Sequence, residues 1–322
     1  MVRSIILRGF DQECGNRIAD FMTRSGTPMI RSATVSKIEK KGDRLLVTWS
    51  KNDSPRGRHE RPAGSDGSEE FDTVLCAIGR YIDTKGLHCE RVGLKLNKKG
   101  EFVPGPYGKE STNIPNIFAI GDCLEGCPEL TPVAIQAGKY LARRLFANST
   151  TQMRYENVAT TVFTPIEYGS IGVSEDSILQ DNGIPDANKV YVADPAQTYR
   201  YATLKPGYVV YRKEFSPLEW KIVKGRKPFK CYMKVICQGA DQKIVGIHYL
   251  GPNAGEIMQG FSLAVRMGAT YDDLYDTVGI HPTSAEHFTI LKAEEKKPPA
   301  TFVAAAAAIT PDLAAADEAC DT

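Results

Sequence analysis

The stretch Ile117-Phe-Ala-Ile-Gly-Asp122, followed by Pro128-Glu-Leu-Thr-Pro-Val-Ala-Ile-Gln-Ala-Gly138, does most to limit what this chain can become. A short apolar run ends in Gly-Asp. Thr131-Pro132 then opens a segment with apolar residues at helical spacing: Val133, Ile135, Ala137, Tyr140, Leu141, Leu145 and Phe146. The pattern predicts a buried strand delivering an acid to a ligand, and then a helix. Thr131 suits the N-cap, and Pro132 suits the first turn, where a missing N–H costs nothing. The positive end of that helix would face whatever Asp122 touches.

With 322 residues the chain is long enough for two domains. Its net charge of +1 gives no long-range field that would select nucleic acid or an acidic membrane surface. The apolar low-complexity run Val303–Ile309 is too short to span a bilayer, and Met1–Arg8 lacks the long apolar centre of a signal peptide. A cytoplasmic location is therefore expected, with an organellar form left open. Cysteines stand at 14, 76, 89, 123, 127, 231, 237 and 320. No C-x-x-C occurs and no zinc spacing is present, so no metal site is expected. Cys76, Cys231 and Cys237 read as small buried apolar residues.

Ser4–Arg8 reads as a short strand and Gln12–Arg24 as an amphipathic helix burying Ile18, Ala19, Phe21 and Met22. Met29–Glu39 and Arg44–Ser50 form a hairpin about the turn residues Lys40-Lys-Gly-Asp43. Residues 51–70 are polar and read as a loop or insertion; Phe71–Ile78 reads as a further buried strand ending at Gly79-Arg80. No G-x-G phosphate turn occurs anywhere in the chain. From Val158 the composition changes. Val158–Phe163, Tyr168–Val173, Lys189–Ala193, Gly207–Tyr211, Phe229–Cys237 and Lys243–Leu250 are expected strands, with a helix start at Ser174. Helices follow over Ala254–Met267 and Thr270–Tyr275. An antiparallel sheet covered by helices is an α+β domain, and residues from 293 on read as a mobile tail.

Five motifs in order carry a resemblance: Ala77-Ile-Gly-Arg80, Ile117–Asp122, Leu130–Gln136, Leu250-Gly-Pro-Asn-Ala-Gly255 and Ile280-His-Pro-Thr-Ser-Ala-Glu286. Together they resemble the flavin-dependent pyridine nucleotide-disulfide oxidoreductases over about residues 3–292. Gly9-Phe-Asp-Gln12, Thr160–Tyr168 and Ser216-Pro-Leu-Glu-Trp220 are similar to the large animal-type thioredoxin reductases more than to glutathione reductase or lipoamide dehydrogenase. The resemblance implies an α/β plus α+β fold. Part of a doubly wound FAD/NAD(P)-binding region (1–115 of the NADPH domain and 116–157 of the FAD domain) would precede a dimerisation domain over 158–292 and a tail over 293–322. Residues about 194–214 look inserted relative to the family.

The resemblance implies roles as well. Asp122 would accept a hydrogen bond from the ribityl chain of FAD, and Glu129, Leu130 and Thr131 would line the flavin ring. Gly79 and Arg80 would lie near NADPH. His281, oriented by Glu286, would handle protons at the partner subunit's dithiol, with Pro282 opening the helix that follows. The implied function is thioredoxin-disulfide reduction by a homodimer, electrons passing from NADPH to FAD to a dithiol to thioredoxin. The family's flavin-side C-x-x-x-x-C and both dinucleotide glycine turns have no counterpart here, so an incomplete version of the enzyme is expected. Cys320 on the tail is a candidate shuttle thiol, although the family's tail ends in paired redox residues and Asp321 follows here. The other readings are a non-enzymatic dimerisation module and a glutathione-reductase-like disulfide reductase.

Overall fold

A buried aspartate starts the first helix. Asp11 Oδ1 accepts the Cys14 N–H at 3.1 Å and caps α1 (Gln12–Arg24), whose bounds are those the apolar spacing predicts. The computed structural model describes residues 5–51, 66–180, 203–204, 207–223 and 229–291. Residues 6–9 form turns rather than the expected strand over 4–8, because Leu7 takes a left-handed φ of 49° that interrupts any extended run.

The expected hairpin forms from β1 (Ala33–Lys41) and β2 (Arg44–Lys51), antiparallel about Gly42. A third strand, β3 (Gly67–Phe71), pairs with β2, so the polar stretch expected as a loop over 51–70 ends in a strand. Gly67 is there for contact: a Cβ would lie 2.6 Å from the Trp49 ring. The buried strand expected over Phe71–Ile78 does not form. Beyond Phe71 no ladder partner exists among the described residues, and Leu75, Cys76 and Ile78 stand exposed.

Residues 85–127 are mainly turns and isolated bridges around Cys89, Phe102, Ala119 and Leu124. Ile117–Ile120, expected as a buried strand, makes a bridge through Phe118 to Ser111 and one hydrogen bond from Ala119 N–H to Glu110. Its neighbours are loops, so no ladder builds on it. α2 (Thr131–Phe146) follows. Thr131 is its first residue and Leu130 its cap, with no side-chain cap bond, which corrects the N-cap expected at Thr131.

The second half is built on five antiparallel strands: β4 (Thr160–Val162), β5 (Tyr168–Gly172), β8 (Tyr208–Phe215), β9 (Cys231–Gln238) and β10 (Lys243–Leu250), in the order β4-β5-β10-β9-β8. Between β5 and β8 lie the short helix α3 (Glu175–Ile178) and a two-stranded pair, β6 (Leu179–Gln180) with β7 (Thr203–Leu204). β8 pairs with β9 along its whole length, so the end of the segment read as an insertion is an integral edge strand. The strand expected at Lys189–Ala193 and the tail from 292 lie outside the described residues.

After β8 come α4 (Leu218–Ile222), α5 (Ala254–Met267) and α6 (Tyr271–Tyr275), the last started by a capping box between Thr270 and Asp273. α5 lies tight on β5 because residue 169 is glycine; a Cβ there would meet Met258 at 2.4 Å. Cys231, Met233, Val235, Cys237, Ile247, Tyr249, Met258 and Phe288 form the core between sheet and helices. The burial expected for Cys231 and Cys237 is thus met. Among the described residues no helix is long and apolar enough to cross a membrane. The fold is mixed α and β with antiparallel sheets, as the sequence implied.

Candidate active site

The expected cofactor residues converge on one surface. Gly79, with φ of +110°, turns the chain so that Arg80 reaches across to the loop before α2. Arg80 Nη2 donates to Asp122 Oδ2 at 2.7 Å and to Glu129 Oε2 at 2.9 Å. All three side chains are solvent-facing, and the hydrogen bond that Arg80 donates to Glu129, then the charges of Asp122 and Glu129, raise the Arg80 pKa further above its ordinary value. Asp122 sits in the 3-10 turn Gly121–Cys123. That turn packs on the first turn of α2, where a Cβ at Gly121 would lie 3.1 Å from Ala134. Thr131 is exposed at the start of the helix and Leu130 is half-buried beside it.

This donor set fits a flavin. Two solvent-facing carboxylates suit the hydroxyls of a ribityl chain, and an uncapped helix start suits the electron-rich end of the ring. In the present arrangement both carboxylates are engaged by Arg80, so a polyol would have to share or displace that guanidinium.

A second cluster lies in the loop after α6. His281 Nδ1 is 2.9 Å from Glu286 Oε2 and 3.2 Å from Oε1. The imidazole is 81% exposed, whereas Glu286 is 18% exposed and backed by the chain around it. Glu286 N–H donates to Thr283 Oγ1 at 3.2 Å, and its carbonyl accepts from Thr289. Gly279 lets the loop close over this acid, since a Cβ there would lie 2.7 Å from Glu286 Cβ. His281-Pro282 is a cis peptide, and the helical turn begins only at Ala285, which corrects the expectation that Pro282 opens a helix. A carboxylate on Nδ1 fixes the tautomer and leaves Nε2 pointing outward as an acceptor for a thiol proton. The loop forms one edge of a cleft of about 470 Å³ lined by Phe261, Ile280 and Glu219 among others.

The remaining histidines differ. His248 is fully buried, and burial lowers its pKa, so it is neutral. It donates from Nε2 to the Val173 carbonyl at 2.9 Å and accepts the Tyr168 hydroxyl at 2.7 Å on Nδ1. His287 lies over the Phe215 ring, with centroids 3.9 Å apart. Both side chains are held inside the second half of the fold.

One cluster of charges was not anticipated. Lys234, in the middle of β9, is wholly buried, and its Nζ lies 2.8 Å from Asp11, 3.0 Å from Glu13 and 2.7 Å from Glu175. Arg212 joins Glu175, and Arg17 bridges Glu13 and Glu214. Burial pushes these acids up, and the cation opposes it. Lys234 wins at Asp11, which is held far below the usual carboxylate range, and, with Arg17 and Arg212, at Glu13, held at about 2. At Glu175 burial wins and the carboxyl is raised. The available signals were the Gly9-Phe-Asp-Gln12 motif and a single lysine inside the apolar run Cys231–Cys237. A second such group is Glu110, 1% exposed, which accepts from Arg144 and from the Tyr155 hydroxyl.

Comparison with known proteins agrees with this arrangement. Residues 1–138 match the pyridine nucleotide-disulphide oxidoreductase family, and residues 158–291 match the pyridine nucleotide-disulphide oxidoreductase dimerisation domain. The mitochondrial thioredoxin reductase 2 of Drosophila melanogaster is 40% identical over 297 residues, which is 92% of this chain and 51% of that protein. The chain therefore spans about half the length of this curated relative. With two family signatures covering both halves of its fold, the chain belongs to the pyridine nucleotide-disulphide oxidoreductases, as a member of thioredoxin reductase type.

Proposed function

We propose that the chain serves an NADPH-dependent thioredoxin-disulfide reductase that works as a homodimer with FAD. The observation that carries this reading is the exposed His281 imidazole held on its Nδ1 by Glu286, an arrangement suited to accepting and returning a thiol proton near neutral pH. When bound, the flavin supplies the two-electron relay between a nicotinamide and a disulfide. Asp122, Glu129, Leu130 and Thr131 would hold its ribityl chain and ring. Gly79 and Arg80 would stand on the nicotinamide side, and Glu286 would keep His281 in one tautomer. Thioredoxin is named as the substrate because the relative is a thioredoxin reductase.

The test is a visible spectrum of the purified chain after incubation with FAD and desalting. Retained flavin absorbance supports the reading. A colourless dimer overturns it and favours the second reading, a non-enzymatic dimerisation module. That reading has its own support in the complete core between the five-stranded sheet and α5.

A further inference from the structure

Between the two carboxylates that Arg80 bridges, the chain makes a compact double turn bounded by cysteines. Leu124 N–H donates to the Gly121 carbonyl at 3.0 Å, and Cys127 N–H donates to the Leu124 carbonyl at 3.3 Å. Gly126, with φ of +69°, reverses the chain between them. The loop is pinned from behind by Phe102, whose N–H donates to the Cys123 carbonyl at 2.8 Å and whose carbonyl accepts from Glu125 at 3.1 Å.

Both thiols are free and half-buried, and both pack on the apolar cluster of Cys89, Phe102, Ala119 and Leu124, Cys127 also touching the neighbouring cluster of Val133, Ala137 and Tyr155. Cys123 Sγ lies 3.3 Å from the Ile120 carbonyl. Burial raises the Cys127 pKa, and the charge of Lys109 opposes this. The other described cysteines differ: Cys14, Cys231 and Cys237 are buried in cores, Cys89 is buried, and Cys76 is exposed with no neighbouring thiol in its cluster.

We propose that Cys123 and Cys127 form a reversible disulfide across the Asp122–Glu129 loop, a modification site for hydroperoxides. The Cys123 thiolate attacks the peroxide O–O bond, giving a sulfenic acid and releasing water or an alcohol. The Cys127 thiol then displaces hydroxide from that sulfur; its proton leaves with the hydroxide as water, and an S–S bond forms. Two thiols lose two electrons and two protons, and the peroxide is reduced. A dithiol reverses the change. Cys127, packed against both apolar clusters, resolves rather than initiates. The site needs no bound cofactor, so it stands or falls independently of the proposed activity.

The test uses the full chain, reduced with dithiothreitol, desalted and exposed to hydrogen peroxide. Remaining thiols are then alkylated in denaturant, and trypsin and Glu-C peptides are read by mass spectrometry. Trypsin leaves both cysteines in one peptide ending at Lys139, and Glu-C cuts after Glu125 between them. The expected result is a tryptic peptide unalkylated at both cysteines and lighter by two hydrogens, which Glu-C turns into two peptides joined by a bond that dithiothreitol releases. In Cys127→Ser, dimedone should trap a sulfenic acid at Cys123. A peptide that stays alkylated at both positions while Cys76 oxidises would overturn the proposal, and so would a Cys123 bond to Cys89. The wild-type chain alone decides between these outcomes, whatever the variant does to folding.

Discussion

Replacing Lys234 by methionine should reverse how acid acts on this protein. Met fits the volume of the lysine stem but leaves Asp11, Glu13 and Glu175 buried without their shared cation. Breaking a buried ion network by removing one partner costs about 3–5 kcal/mol. The wild-type contributions set the scale. Moving Glu13 from its ordinary 4.5 to about 2 corresponds to about 3 kcal/mol, and Glu175, raised by burial, offsets part of this. Glu13 and Asp11 are depressed in the folded state, so their stabilisation is present above the unfolded pKa and is lost as pH falls from about 4.5 through about 2. In Lys234→Met the same acids would be raised on folding, so the folded state would bind the extra protons and the deficit would shrink as pH falls toward 5. Urea titrations followed by tryptophan fluorescence at pH 8, 7, 6 and 5 measure this, with Trp49 and Trp220 as reporters. At about 2–4 °C per kcal/mol for a unit of this size, the melting temperature should drop by roughly 10 °C at pH 7. A variant within about 1 kcal/mol of wild type at pH 7, with the wild-type pH slope, would show that the network does not hold α1 to the sheet.

Other consequences are simpler to test. Gly172 has φ of +78°, and a Cβ there would lie 2.0 Å from the Val245 carbonyl, so Gly172→Ala should cost at least about 2 kcal/mol in chemical denaturation. His281→Ala should leave the melting temperature unchanged, because its side chain is exposed; a clear fall would show that the His281–Glu286 pair holds its loop. Arg80→Met should leave the melting temperature where it is, since both of its ion pairs face solvent; a clear fall would show that this bridge organises the Asp122 loop. In native alkylation, Cys76 should react first among the described cysteines and Cys14 and Cys237 last, both buried, with the Cys237 thiol pushed up to about 12.

Local chemistry was read from the sequence more reliably than partnership. α1, β10 and α5 fall where periodicity puts them, because each carries its own pattern, and the structure adds the caps Asp11 before α1 and Gly268 after α5. Phe71–Ile78 and Ile117–Ile120 have equally apolar sequences and fail as strands, since a strand needs a ladder partner and none is supplied beside them. The Asp122, Glu129 and Arg80 positions were singled out one by one, yet nothing in their spacing of 42 and 49 residues announced that one guanidinium would hold both acids. The His281–Glu286 pair was recognised as a pair, but its geometry comes from a loop around a cis peptide, not from the helix expected there. Lys234 was passed over because Phe229–Cys237 was read only as one strand of the antiparallel sheet. Only the docking of α1, 223 residues away in sequence, explains a charge in the centre of the sheet.

That separation bears on how the protein is made. The lysine that neutralises Asp11 and Glu13 is synthesised 223 residues after Asp11. Until then the helix has no permanent seat for Ile18, Phe21 and Met22, whose apolar cluster is completed by Tyr168, Tyr232 and Leu250. Contacts of such long range slow folding and keep apolar surface open to other chains during synthesis. α1 is therefore among the last of the described elements to settle, and the step that seats it joins segments 223 residues apart.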